Sequence, residues 1–506
     1  MRFIPLNTAD TSNANMRLKS ATSRHLRAIC SLVLAFFLIS CQPAPRMNVV
    51  LLIVDDLGWA DTGIYGSAFY ETPNIDALAE DGVRFLNFYA ASPVCSPTRA
   101  SIMTGKHPAR INITNWIGGE QKGELLQAKY DRQLSLEEET FAERFKAEGY
   151  STAFFGKWHL GSEGYLPEAQ GFDLNVGGHD AGQPGSYFYP YKHPNNEYWD
   201  VPGLGDGEEG EYLTDRLTDE SIAFLREHSN DPFILVLSYY NVHTPLQGKE
   251  ELIERYERKA ASLDTCREAT FTPESDRAVT RRCQNHPVYA AMVQSTDESV
   301  GRIRSELGRL GISDHTAIVF VSDNGGLSTL SIGRTGIPTS NDPLRAGKGW
   351  LYEGGIRVPF AMFWPGMTEP GSVRTSPATT MDIFPTLVEL AGLSPREQNA
   401  VDGESLIAIA ENDANNVKRL LFWHFPHYHG SGNRPSGAVR DGRYKLIEWF
   451  EDGSLELYDL ESDPTESNNI ASIEPSTTAR LRQLLYDWRE RVEAEMPTPN
   501  PDWKDD

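Results

Sequence analysis

The chain carries no surplus of basic charge: 47 Lys and Arg stand against 71 Asp and Glu, a formal net charge of −24 in 506 residues. That balance argues against a generic nucleic-acid binder, which needs cations to neutralise phosphates. It argues equally against an enzyme that gathers polyanions through its overall field. There is no internal repeat, no Walker-type phosphate loop and no dinucleotide fingerprint. The one pronounced apolar run near the N-terminus, Ala28 to Ile39, is too short to cross a bilayer comfortably. Disorder is excluded by what is present, since 40% of residues are hydrophobic and 10% aromatic. The length implies more than one structural unit.

The N-terminal segment reads as an address. Arg17, Lys19, Arg24 and Arg27 precede the apolar run, which ends Leu38-Ile39-Ser40-Cys41. This resembles a bacterial lipobox with Cys41 as the lipidated first residue of the mature chain; an ordinary cleaved signal is the alternative. Met16 is a more natural start than Met1. Residues 1–40 are read as a lipoprotein signal peptide and 41–47 as a linker, which predicts an exported bacterial lipoprotein in the periplasm or on the outer membrane, favoured by Gln42. A lipid anchor is then the only membrane contact. Removing the signal takes five basic residues and one acid, so the mature chain is more acidic still. Among the five cysteines, Cys30 leaves with the signal. In an exported protein Cys266 and Cys283 can oxidise to one disulfide. Cys95 is left unpaired and calls for an explanation.

Asn48–Val54 is a continuous apolar run that stops on Asp55-Asp56, as suits a strand buried on both faces of a parallel sheet. Thr316–Val321 repeats the pattern before Ser322-Asp323-Asn324-Gly325-Gly326, and Phe233–Leu237 leads to Asn241-Val242-His243. Helical patterns at 135–148 and 297–310 separate such runs. The alternation predicts an α/β sandwich with a mostly parallel central sheet over 48–403, in which ligands collect just beyond the strand ends. After Gly403, short strand-like pieces divided by Asp441-Gly442 and Asp452-Gly453 predict antiparallel hairpins, and 477–493 a closing amphipathic helix. Residues 404–506 are thus read as a small C-terminal α+β subdomain with an antiparallel sheet.

Cys95-Ser96-Pro97-Thr98-Arg99 is the sharpest local signal. Pro97 fits a first helical position, which puts Cys95 at a helix N-terminus where backbone N–H groups favour an anion. Arg99 adds a cation one turn on; a structural or low-pKa cysteine is the plainer alternative. Asp55, Asp56, Asp323 and Asn324 are two hard-oxygen clusters at two strand ends. They suit Ca²⁺ or Mg²⁺ and, lacking His and Cys, suit zinc poorly. Either pair alone is more often a turn cap. Lys157 and His159 sit two apart after the strand-like Ala153-Phe154-Phe155 and can face the same way.

Cys95, Pro97, Arg99, Thr104 and Gly105 resemble the Cys-x-Pro-x-Arg…Thr-Gly motif of the type I, formylglycine-dependent sulfatases, with Met103 where leucine is usual. The resemblance runs from about Asn48 to the C-terminal hairpins. It implies an alkaline-phosphatase-like sandwich, Cys95 converted to formylglycine by a formylglycine-generating or sulfatase-maturing enzyme, and one Ca²⁺ (or Mg²⁺) on Asp55, Asp56, Asp323, Asn324 and the modified Cys95. In the cycle it implies, the metal and Arg99 hold the formylglycine hydrate, Asp323 helps deprotonate it, and the oxygen attacks sulfur. Lys157 binds sulfate, His243 or Lys348 protonates the leaving oxygen, and His159 triggers elimination.

Substrate choice is read from loops. His179, Asp180, Tyr187, Tyr189, His193, Arg345 and His424 lie in stretches able to surround a sugar. The run His424-Phe-Pro-His427-Tyr-His429 looks metal-like, yet aromatic packing with polar tips is the favoured reading. The expectation is a sulfatase acting on sulfated poly- or oligosaccharides, with no nucleic-acid partner. The alternatives are a phosphate or phosphonate monoester hydrolase of the same superfamily and a non-catalytic sulfated-glycan-binding lipoprotein. Net acidity does not exclude an anionic substrate, because a few cations can build one pocket inside an acidic envelope.

Overall fold

The computed structural model describes residues 46–264, 266, 270–393, 401–412 and 419–504. The expected signal peptide, Cys41 and most of the 41–47 linker lie outside the described residues. The chain divides into two units, Met1–Arg46 and Met47–Asp506, and every strand and helix described belongs to the second.

The central sheet has eight strands: β1 (Asn48–Val54), β2 (Val83–Phe85), β3 (Ser151–Gly156), β4 (Leu174–Val176), β5 (Phe233–Ser238), β6 (Thr316–Ser322), β7 (Phe360–Phe363) and β8 (Ser372–Arg374). Their spatial order is β8-β2-β7-β6-β1-β5-β3-β4. Only β7 runs against the rest. The mostly parallel sheet expected from the sequence is therefore what forms, and alternation along β1 shows why. Val49, Leu51 and Ile53 pack on one face with helices α2 (Cys95–Thr104), α3 (Phe141–Ala147) and α7 (Ile383–Leu390). Val50, Leu52 and Val54 pack on the other, against α1 (Pro73–Asp81), α4 (Leu213–Glu227), α5 (Glu250–Ala261) and α6 (Pro287–Leu310). Both faces are covered, so the strands read as unbroken apolar runs.

Register places the chemistry. Val54 pairs with Ser322, so Asp55 and Asp323 leave adjacent strands side by side. Gly156 pairs with Ser238 one strand further over, which delivers Lys157 to the same edge.

Several helix boundaries differ from the sequence expectation. The pattern at 135–148 yields only Phe141–Ala147, because Thr140 caps it in a reciprocal box with Glu143. The pattern at 297–310 extends back to Pro287, where the His286 side chain accepts the Tyr289 N–H. Helix α2 begins at Cys95 itself, so Pro97 is its third residue rather than its first.

At the C-terminal end, β9 (Leu420–Phe425), β10 (Ser436–Asp441), β11 (Tyr444–Trp449) and β12 (Leu455–Asp459) form an antiparallel sheet in that order. Gly442 and Gly453 turn the two hairpins at φ of 60° and 68°. Helix α8 (Pro475–Arg491) covers one face through Leu481, Leu485 and Trp488. The other face presents Trp423, Phe425 and Trp449 to Tyr89, Val94, Trp350 and Tyr352. That contact brings the β9–β10 loop to the end of α2. Cys266 and Cys283 are joined by a disulfide, and Cys95 is the one free cysteine among the described residues.

Candidate active site

The ends of β1, β3 and β6 and the start of α2 converge on Cys95. Asp55 and Asp323 are fully buried, and Asp56 nearly so. Asp56 takes a left-handed φ of 59°. The Asp56 N–H donates to Oδ1 of Asp323 at 3.2 Å and Asn324 Nδ2 donates to Oδ1 of Asp56 at 2.8 Å. Cations close around these groups. Arg99 donates from Nε to Asp323 at 2.8 Å, and from Nη1 to the Lys157 carbonyl and the Ser238 hydroxyl. Lys157 Nζ reaches Oδ2 of Asp55 at 2.6 Å. Lys348 Nζ reaches Oδ1 of Asp56 at 2.6 Å and the Cys95 sulfur at 3.4 Å.

This donor set fits a hard divalent cation. Oδ1 of Asp55 and Oδ1 of Asn324 are buried acceptors without a hydrogen bond, Arg99 Nη2 standing 3.9 Å from the former, which is costly unless a cation meets them closely. Burial raises the Asp55 carboxyl, Lys157 opposing and Asp323 and Asp56 adding to the rise. Asp56 is held below the usual range: burial would raise it, but Lys348 and His243 outweigh that. Asp56, Cys95 and His243 offer donor atoms within 4.8 Å of one another, as do Asp55, Cys95 and Asp323.

Burial also pushes the Cys95 thiol up to about 11, despite Lys157 and Lys348. A low-pKa cysteine nucleophile is thereby disfavoured. His159 is held well below the usual imidazole range by burial and by Lys157, and burial and Lys348 bring His243 to about 3. Both rings are neutral at physiological pH. Burial would lower Lys348, but Asp56 and Cys95 raise it, so it stays charged.

A cavity of ≈ 400 Å³ opens over Cys95, walled by His159, His243, Lys348 and His429, with Trp116, Gln183, Tyr198 and Trp199 among its other lining residues. Lys157 and Arg99 are enclosed beneath it and face the carboxylates. A second cavity of ≈ 500 Å³ shares Tyr198 and is lined by His179 and Asp180.

The other expected sugar contacts line neither cavity. Arg345 lies over the Tyr352 ring and bonds Glu274, Tyr458 and the Glu466 carbonyl, so its charge is paired with Glu274. His424 points away from the cavity and pairs through Nε2 with the Glu495 carbonyl at 2.8 Å. His193 lines neither cavity; its Nδ1 accepts the Asn195 N–H. Tyr187 is buried and donates to the Tyr240 and His243 carbonyls, fixing the His243 loop. Tyr189 donates to the Gly205 carbonyl. The three histidines of the 424–429 run find three separate partners, Glu495, Thr114 and Ser431. Sequence reasoning missed Trp116, Gln183, Tyr198, Trp199 and the cavity-lining role of His429, which come from loops far apart in sequence.

A family model described as Sulfatase matches residues 47–393, and one described as N-sulphoglucosamine sulphohydrolase, C-terminal, matches 346–491. A Formosa agariphila sulfatase is 31% identical, with 85% of each chain covered. The N-acetylgalactosamine-6-sulfatase of Rattus norvegicus is 30% identical over 86% of this chain and 78% of its own. Among solved structures, Ps i-CgsB in complex with k-i-k-neocarrahexaose superimposes with a TM-score of 0.71 at 26% identity, covering 90% of this chain and 94% of that one. The chain therefore belongs to the sulfatase family, and it is a sulfuric ester hydrolase built on the alkaline-phosphatase-like α/β fold.

Proposed function

We propose that the protein is an exported, lipid-anchored sulfatase of sulfated oligo- or polysaccharides, working through a formylglycine made from Cys95 and a Ca²⁺ held by Asp55, Asp56, Asp323 and Asn324. The observation that carries this reading is a buried, unactivated Cys95 whose sulfur lies within 4.8 Å of Asp55 and Asp323 carboxylate oxygens, with Oδ1 of Asp55 and of Asn324 taking no hydrogen bond. When in place, formylglycine supplies an oxygen nucleophile, and the divalent ion supplies charge that steadies the sulfate oxygens.

The chain's own groups do the rest. Arg99 and Lys157 lock Asp323 and Asp55 in position. His159 donates Nε2–H to the Ile117 carbonyl, which leaves Nδ1 bare and without a partner, as a proton acceptor must be. His243 donates from Nδ1 to the Thr244 carbonyl and its Nε2 lies 3.7 Å from Oδ2 of Asp56, so its neutral ring presents no proton to the cavity at Nε2. Of the two groups that the resemblance implies for protonating the leaving oxygen, charged Lys348 is thus the donor. A glycan substrate is supported by Trp116, Tyr198 and Trp199 around the cavity and by the carbohydrate ligand of Ps i-CgsB. Cys95 is 2% exposed, so the maturing enzyme must meet it before the fold closes. The N-terminal run 17–41 carries the export and lipidation reading.

Cys95→Ala tests the reading: turnover of sulfated sugars should vanish while circular dichroism stays unchanged. Substantial turnover by that variant, or faster cleavage of an aryl phosphate than of the matching aryl sulfate by the parent enzyme, would overturn it.

A further inference from the structure

The three cavity histidines do not present the same edge. His159 shows a bare Nδ1, because the Ile117 carbonyl, which only accepts, takes its other N–H group; His243 gives its Nδ1–H to the Thr244 carbonyl and turns Nε2 toward Oδ2 of Asp56 at 3.7 Å. His429 is reversed. The backbone N–H of Ser431, which only donates, points at Nδ1 of His429 at 3.2 Å, and the Ser431 hydroxyl lies 3.0 Å from the same atom. The ring's proton is therefore on Nε2. The loop is held in place: Oδ1 of Asn433 accepts the His429 N–H at 2.6 Å, and Asn433 Nδ2 donates to the His427 carbonyl at 3.0 Å. A side chain at Gly349 would strike His429 and Ser431, so the ring sits against the residue that follows Lys348. Among the described residues no protein group accepts from Nε2, and the ring lines the cavity.

We propose that His429 donates its Nε2–H to the ester oxygen of the bound sulfate ester, beside Lys348, and that it is a catalytic residue of this chain. The placement favours the alcohol half of the substrate over the sulfate half. His429 stands outside the group in which Asp56, Cys95 and His243 bring their donor atoms together. It shares the cavity wall with Lys348 and lies in the loop between β9 and β10. As the oxygen nucleophile proposed at position 95 forms its bond to sulfur, the ester S–O bond breaks, its electron pair goes to the ester oxygen, and Lys348 Nζ transfers a proton to that oxygen. His429 keeps its own proton throughout and shares the developing charge by hydrogen bonding.

The inference rests on sulfate-ester cleavage at the Cys95 pocket, for which turnover by the parent enzyme is the control. The test compares the parent, His429→Ala and His429→Gln on 4-nitrophenyl sulfate and phenyl sulfate, whose leaving groups differ in acidity. One neutral hydrogen bond to the departing oxygen corresponds to a loss of ~10-fold in kcat/KM for His429→Ala on phenyl sulfate, with a smaller loss on the nitrophenyl ester. The glutamine variant keeps an amide N–H and should recover much of that loss. Inhibition by inorganic sulfate should be unchanged in both. Equal losses on the two esters, a glutamine variant no better than alanine, or sulfate inhibition weakening in parallel would overturn the proposal. Nitrogen-15 NMR of the histidine side chains reads the tautomer without turnover: protonated Nε2 and bare Nδ1 at His429 agree, and the opposite tautomer refutes it. Equal thermal midpoints for the three proteins separate these effects from misfolding.

Discussion

Lys348 and Asp56 form a buried ion pair, Nζ to Oδ1 at 2.6 Å, whose lysine also lies 3.4 Å from the Cys95 sulfur. One cation thus serves a carboxylate of the proposed Ca²⁺ site and the residue proposed to become the nucleophile. Lys348→Ala is expected to lower kcat by ~10²–10⁴, the range for loss of a positioned proton donor. It should also destabilise the apo protein by about 3 kcal/mol, since Asp56 is left buried without its partner. A variant with normal kcat would remove Lys348 from the chemistry.

The hard-oxygen cluster predicts that Ca²⁺ stabilises the folded protein. At 100 times its dissociation constant a bound ion adds about 2.7 kcal/mol, visible as a higher thermal midpoint in Ca²⁺ than in chelator. Asp323→Ala should abolish that difference together with activity. A difference that survives in the variant would place the ion elsewhere.

The Cys266–Cys283 bond closes a loop with a sequence separation of 17, and neither cysteine lines either cavity. Replacing both cysteines by serine should cost about 3 kcal/mol of stability and leave kcat at moderate temperature unchanged. The measurement is a denaturant titration beside initial rates; a large fall in kcat would tie the loop to the site.

His424 supplies a pH test. Burial lowers its pKa to about 3, from an ordinary value of 6.5. The unfolded chain therefore takes up this proton more readily than the folded one. The ring's contribution to stability is complete above pH 6.5 and is lost as pH falls toward 3. By pH 5 the loss from this group is about 2 kcal/mol. His424→Gln should accordingly lose less stability than the parent between pH 7 and pH 5, by thermal melts at both values. Parallel losses would mean that the ring is not buried neutral.

What could be read in advance follows from what is local. The apolar runs of β1, β5 and β6 announce a doubly covered parallel sheet, because each residue's burial is written in its own hydrophobicity. Asp55-Asp56 and Asp323-Asn324 sit directly after such runs, so strand register alone makes them neighbours. Cys95 and Arg99 share one helix. What failed depends on distant contacts. Arg345 and His424 have the chemistry of sugar contacts, and only the packing of Glu274, Tyr352 and the 495 carbonyl turns them elsewhere. His429 looked like the end of an aromatic run until the C-terminal sheet docked and brought its loop beside Gly349. The boundary of α3 slipped because the Thr140–Glu143 box outweighs the apolar pattern before it.

The central claim is that Cys95 does not act as a thiol. Its most direct test is the mass of the peptide spanning Cys95, from protein produced with a sulfatase-maturing enzyme and digested without alkylation. The account predicts the lighter mass of an aldehyde in place of the thiol, and formation of a hydrazone with a hydrazine reagent. An active enzyme whose peptide carries an intact, alkylatable Cys95 thiol would contradict it.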